Sequence, residues 1–245
     1  MLGFFTEEEI VAMSIHDNLR CVQERIASAT TKAGRKSDEI TLIGVSKTHP
    51  ASAIQEAYTA GLRHFGENRV QEWEGKRRDV ESLDATWHLI GHLQSNKAAR
   101  AAKLFHSVDS VDDINLAQRL NRAHAEVARD QQPMRVLIEV HLGGEETKSG
   151  VSEKDLPGLV EQVSGLSYLQ LAGLMCIPPY LENVDAVRPY FARLRELRDK
   201  MASLLGKDLS VLSMGMSHDF EAAILEGSTE VRVGTAIFGI RQAAR

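Results

Sequence analysis

The sequence predicts an α/β fold of one kind, a single (β/α)8 barrel of the TIM type. Three observations predict it. Short apolar runs recur along the chain, each is followed by a polar stretch of helical periodicity, and eight such pairs fit into 245 residues. Strand–helix alternation implies a parallel sheet, and eight units in about 250 residues is the usual size of this barrel.

The elements follow in order. A helical stretch from about Glu7 to Ala33 precedes the first strand, so residues 1–39 are expected as an extension packed on the barrel within one domain, 1–245. The strand runs are Thr41–Lys47, Arg63–Gly66, Trp87–His92, Leu104–Val108, Met134–Leu142, Leu169–Cys176, Leu209–Met216 and Glu230–Phe238. Most are apolar throughout rather than alternating, as strands buried on both faces should be. Between them, Val187, Phe191, Leu194, Leu197, Met201 and Leu205 recur at steps of three and four, an amphipathic stripe. Ser110 with Asp113 resembles a capping box, and Gly61 and Gly227 fit the position just past a helix end. A doubly wound open sheet is the alternative, but it would want a glycine fingerprint after the first strand, and GVSKTHP is not GxGxxG.

Composition narrows the function. A formal net charge of −5 argues against nucleic acid as a partner. The two cysteines, Cys21 and Cys176, form no CxxC pair and no disulfide framework, which fits a reducing compartment. The N-terminus MLGFFTEEEI lacks a basic n-region and a long apolar segment, and no run reaches the ~18 apolar residues of a membrane-spanning helix. The expectation is a soluble cytoplasmic protein.

In such barrels the chemistry sits at the C-terminal ends of the strands. The first strand ends in Lys47. Burying an ammonium is costly, and desolvation favours the neutral amine that a Schiff-base lysine needs; a lysine with its head in water or paired to an acid is the plainer reading. The seventh and eighth strands end in Ser213-Met214-Gly215-Met216-Ser217 and Val233-Gly234-Thr235. Barrels often hold a phosphate between these two loops. Glycines there let amides approach an anion, and Ser217 and Thr235 add hydroxyls, although Ser217 equally suits a helix cap. Arg232 lies within the eighth strand and could point inward to a ring nitrogen or outward to an acid. Asn68 could contact a bound ring or cap the next helix. His88 is expected to line the barrel interior. It stands four residues from His92 on a predicted strand rather than a helix, so no zinc motif arises. Glu145, Glu146 and Lys148 read as a solvated loop.

Six blocks, ITLIGVSKTHP, HFGENRVQE, WHLIGHLQSNK, GLMCIPP, LSMGMSHDFEAAI and VRVGTAIFG, together resemble the pyridoxal phosphate homeostasis protein family. They run in order from Ile40 to Gly239. The resemblance implies a barrel like the N-terminal domain of alanine racemase that binds pyridoxal 5′-phosphate (PLP) as a Schiff base on Lys47. It implies phosphate contacts from Met216, Ser217, Gly234 and Thr235, with Arg232 near the pyridine nitrogen and Asn68 beside the ring; Ser213 and His88 are expected at the cofactor as well. One departure is His141, where the family typically has asparagine.

The resemblance further implies a PLP carrier that supplies PLP-dependent apo-enzymes. A racemase needs an acid/base group on each face of the substrate–cofactor adduct, and related racemases take the second from an additional β-domain. Only seven residues follow Phe238, so efficient racemisation is not expected, and a lone barrel favours a monomer. Two alternatives stay open: a small PLP-dependent amino-acid racemase-like enzyme, and a cofactor-free phosphate-ester enzyme using a strand-end carboxylate, for which Asp109 is the nearest candidate.

Overall fold

The computed structural model describes residues 14–127, 132–143 and 149–239. The start of the predicted N-terminal helix and the residues Glu145, Glu146 and Lys148 lie outside that set. Eight strands close into a barrel in chain order: β1 (Thr41–Val45), β2 (His64–Glu67), β3 (Thr86–Leu89), β4 (Ser107–Val111), β5 (Met134–Glu139), β6 (Leu169–Met175), β7 (Val211–Met216) and β8 (Glu230–Val233). Every neighbouring pair is parallel, and β8 returns to pair with β1. The barrel expected from the sequence is therefore the fold.

Alternation along the strands sorts side chains into two compartments. A Cβ built on Gly66 would meet Ile43 and Ile90 at 3.1 Å, which places these three on the inner face. A Cβ on Gly44 would instead meet Leu62 and Phe238, on the outer face. Outward residues such as Phe65, Trp87, Val136, Leu212 and Val233 join one continuous core with the surrounding helices. Those helices are α1 (Ile15–Lys32), α2 (Ala51–Thr59), α3 (Val70–Lys76), α4 (Ala98–Leu104), α5 (Ile114–Val127), α6 (Leu156–Ser164), α7 (Arg188–Leu205), α8 (Phe220–Leu225) and α9 (Thr235–Phe238). Trp73 of α3 anchors one side: its ring packs 3.9 Å from that of Trp87, and its indole N–H donates to the Leu104 carbonyl. Burying an aromatic of that size stabilises by roughly 5 kcal/mol before entropy is counted.

Helix α1 starts at Ser14, whose hydroxyl accepts from the Asp17 amide. Leu19, Val22, Ile26 and Ala29 recur at helical spacing and are buried. It docks on α8 and α9, where Asn18 donates to the Ile237 carbonyl and Arg25 pairs with Glu221 at 2.6 Å while stacking on Phe220. The extension thus braces the elements that follow β7 and β8.

Three local expectations are corrected. The fourth strand is Ser107–Val111, because Leu104 and Phe105 belong to the end of α4, and Asp109 lies inside the strand rather than past it. Ser110 is no helix cap: its hydroxyl donates to the Gly91 carbonyl, while the Asp113 carboxylate accepts from the Leu116 amide. The eighth strand ends at Val233, and the apolar residues through Phe238 form α9.

Candidate functional site

The chain places Lys47, Arg232 and the two loops after β7 and β8 around one mouth of the barrel. Lys47 follows β1 by two residues. Ser46 continues the ladder, its amide donating to the Gly66 carbonyl, and Lys47 itself is half-buried in the turn that follows. Val45 packs next to Gly234, whose added Cβ would stand 3.4 Å from it, so the Lys47 turn and the end of β8 are neighbours.

Arg232 resolves toward the interior. Its neighbours Val231 and Val233 join the outer core, so the side chain between them faces inward. It is 3% exposed, and it donates to the Ser213 hydroxyl at 2.7 Å and the Cys176 carbonyl at 2.9 Å. Both are neutral acceptors, so this buried guanidinium brings positive potential into the upper barrel.

The loops after β7 and β8 are tied together by one hydroxyl. Ser217 Oγ accepts from the amides of Gly234 at 3.2 Å and Ala236 at 3.4 Å. Two backbone amides converging on one oxygen form an arrangement that suits an anion equally well. The expectation that Ser217 also caps the following helix is corrected: Asp219 holds the N-cap position, and its carboxylate accepts from the preceding Met216 amide at 2.6 Å rather than from the helix. Burial pushes the Asp219 carboxyl up, and the Met216 amide and Arg232 counter this in part. Gly215 is required here, since at φ +95° a Cβ would stand 2.6 Å from that of Ala223. Thr235 is exposed at the rim, and Met216 is half-buried.

Other predicted residues sit nearby. Asn68 is half-buried just past β2, and Gly91 passes so close that a Cβ there would come within 2.4 Å of the Asn68 carbonyl. His141, just past β5, donates its amide to the Val151 carbonyl and is half-buried. Two groups were missed by sequence reasoning. Glu139, at the end of β5, is 4% exposed and accepts from the Ser149 hydroxyl at 3.1 Å; burial pushes its carboxyl up. Glu67 and Lys76 form a buried ion pair at 2.7 Å beneath the Lys47 turn. The ENRVQEWEGK segment hints at the latter only through its i,i+4 Glu72–Lys76 spacing.

His88 lines the barrel interior, as its strand position led one to expect. One ring nitrogen meets Asp109 at 3.0 Å and the other meets His64 at 3.1 Å. The cluster continues through Arg135, 3.5 Å from Asp109 and hydrogen-bonded to Glu230, with Ser107 bonded to Asp109. Both ring nitrogens of His88 are thus engaged within the barrel interior. Burial and neighbouring positive charge lower the His64 imidazole to about 4. Burial opposes the charge on Asp109, but His88 and Arg135 outweigh it and hold that carboxyl below its usual range. Two cavities of about 520 and 340 Å³ open at the N-terminal ends of the strands, far from Lys47. Among the described residues no cluster suits a metal ion, and no helix is long and apolar enough to cross a membrane.

Comparison with known proteins decides the family. The alanine racemase N-terminal domain family matches residues 14–242. The pyridoxal phosphate homeostasis protein of Aquifex aeolicus is 46% identical over 94% of this chain and 100% of its own length. The chain belongs to the pyridoxal phosphate homeostasis protein family. The Escherichia coli member is 42% identical over 93% of this chain and 97% of its own. Among solved structures, PipY of Synechococcus elongatus with PLP bound is 40% identical, with a TM-score of 0.78 over 89% of this chain and 100% of that one. Alanine racemase of Clostridium difficile shares the fold at 16% identity and a TM-score of 0.71, over 90% of this chain and 56% of that one.

Proposed function

We propose that this family member binds PLP at the barrel mouth, anchored covalently through the Lys47 amine, and serves as a reservoir that supplies it to apo-enzymes. One observation carries the reading: Lys47, the inward Arg232 and the converging Gly234 and Ala236 amides lie around the same end of the barrel. These residues fit the cofactor. A phosphate would take the amides that Ser217 now occupies, joined by the Ser217 and Thr235 hydroxyls and the Met216–Ser217 backbone. The guanidinium, with Ser213 positioning it, supplies a donor for the pyridine ring, and Asn68 lies at its flank. When bound, PLP supplies an aldehyde that an amine captures reversibly. The chain's own part is to hold the lysine, grip the phosphate and exclude water.

A carrier is favoured over a racemase. His88 is engaged on both ring nitrogens, and burial pushes the Cys176 thiol up to about 12. The thiol is then unsuited to serve as the second acid/base group, and the imidazole is held by neighbouring interior side chains. The decisive experiment is the visible spectrum of wild type and Lys47→Ala with and without PLP, followed by borohydride reduction and peptide mapping. A yellow band in wild type alone, with label on the Lys47 peptide, is expected. A colourless wild type in saturating PLP overturns the reading. Robust racemisation of alanine or serine, lost in Lys47→Ala, would replace the carrier with an enzyme.

A further inference from the structure

We infer that Lys76, together with Glu67 and Glu72, is the positioning device that sets the pose of Lys47. The inference rests on the PLP reading above, and it concerns residues that do not themselves touch the cofactor.

The turn after β1 is held from the side by α3 at three of its backbone positions. Lys76 Nζ donates to the Ser46 carbonyl at 2.8 Å and to the His49 carbonyl at 3.3 Å. The Glu72 carboxylate accepts from the Thr48 amide. Lys47 is therefore flanked on both sides by backbone groups fixed to one helix. The His49 amide closes the turn on the Ser46 carbonyl at 3.1 Å, so Lys76 and the turn share that acceptor.

The clamp is itself anchored. Glu67 Oε1 accepts from Lys76 at 2.7 Å and from the Ser46 hydroxyl at 2.6 Å. Glu67 is fully buried and the Lys76 side chain is 11% exposed. Glu67 ends β2 on its outward face, one residue after inward Gly66, so the pair is wedged between barrel and helix. An ordinary lysine in the last turn of a helix keeps its head in water. This one is drawn inward over two carbonyls and a carboxylate. A buried ion pair is weak evidence for stability, and specifying one arrangement is the better-attested use of such pairs.

The turn needs such a hold. Thr48 has φ +66° and is the sole non-glycine residue with positive φ among the described residues. A β-branched side chain disfavours that region and persists there only when its surroundings impose it. The imposed conformation lies one residue after the reactive lysine. Released, the turn would relax toward commoner dihedrals and carry the Lys47 stem away from the pose that meets a phosphate-anchored aldehyde.

The test uses the full chain in two states. Lys76→Met leaves Glu67 buried without its cation, so Lys76→Met/Glu67→Gln is the principal variant, and Glu72→Ala removes the Thr48 contact alone. In the apo-protein, hydrogen exchange of the Thr48 and His49 amides should quicken about tenfold in the double variant, while β-strand amides and the melting temperature change little. In the PLP-loaded protein, cofactor release to an apo-enzyme acceptor should quicken about tenfold, less than the roughly hundredfold that a 1 Å misplacement of a reacting group can cost. The pH midpoint of the visible band should move as well, which a merely structural role would not cause. Glu72→Ala should fall between wild type and the double variant. Unchanged exchange overturns the clamp. Faster exchange with unchanged release and band midpoint overturns its positioning role. A wild type without a visible band refutes the PLP reading, and the positioning role with it, while the exchange data still report on the clamp.

Discussion

Replacing Arg135 by methionine isolates the energetics of the polar cluster inside the barrel. The guanidinium hydrogen-bonds Glu230 and lies 3.5 Å from Asp109. Those carboxylates have side chains 8% and 0% exposed, against 23% for Arg135. Methionine fills much of the volume but leaves two buried carboxylates facing each other. Breaking a buried pair costs about 3–5 kcal/mol, and the partial exposure of Arg135 favours the low end, about 3 kcal/mol. For a chain of this length that corresponds to a melting temperature lower by roughly 6–12 °C.

The pH dependence makes the reasoning specific. Burial already raises the Glu230 carboxyl, with Asp109 adding to this and Arg135 opposing it. Without the arginine it rises further. A group whose folded value lies above its unfolded one contributes stability below the unfolded value and loses it as pH climbs. The deficit of Arg135→Met should therefore be largest near neutral pH and shrink toward pH 5, and Arg135→Met/Glu230→Gln should recover most of it at pH 7. Urea unfolding at both pH values measures this. A deficit under about 1 kcal/mol at neutral pH, well below the range for a broken buried pair, or one that stays constant as pH falls, refutes the account.

Three further outcomes are expected. Gly215→Ala should destabilise by about 2 kcal/mol or more, because it combines φ +95° with a 2.6 Å approach to Ala223; thermal melts check it. Ser217→Ala should leave the fold within about 1 kcal/mol of wild type, yet weaken PLP roughly tenfold by removing one charge-assisted donor, as read by spectral titration. His64 is depressed from 6.5 to about 4, so its contribution is intact above pH 6.5 and is lost as pH falls toward 4; His64→Gln should flatten that part of the stability curve.

Much of the barrel was legible because doubly buried strands leave a plain trace. TLIGV in β1 and VLSMGM in β7 are apolar on both faces, and the residues that end them locate the mouth. Where the trace failed, interior polarity was the cause. The strand SVDSV carries Ser107 and Asp109 into the barrel, and the more apolar Leu104 and Phe105 next to it drew the reading off register. At β8 the opposite happened: apolar residues continue without a break into α9, and short apolar runs do not distinguish strand from helix. Lys47 stood out because lysine is rare in such a place. The Glu67–Lys76 pair did not, since its members lie on a strand and a helix and meet only once the turn between them has folded. His88 was read as interior, but its engagement by His64 and Asp109 depends on neighbours brought alongside by the sheet.

The His64–His88–Asp109–Arg135–Glu230 cluster occupies interior positions of the strands, whereas the Lys47 turn and the Ser217–Gly234 contact lie beyond the strand ends. The two sets lie at different levels of the barrel, so substitutions in one are expected to add to, rather than compound with, substitutions in the other. A lineage could accordingly rework what the rim recognises, loop by loop, while leaving untouched the ionic keel that keeps the staves in register. The same division gives an engineer a chassis: rim residues can be varied in libraries on a background whose keel has first been strengthened, with the two searches run separately.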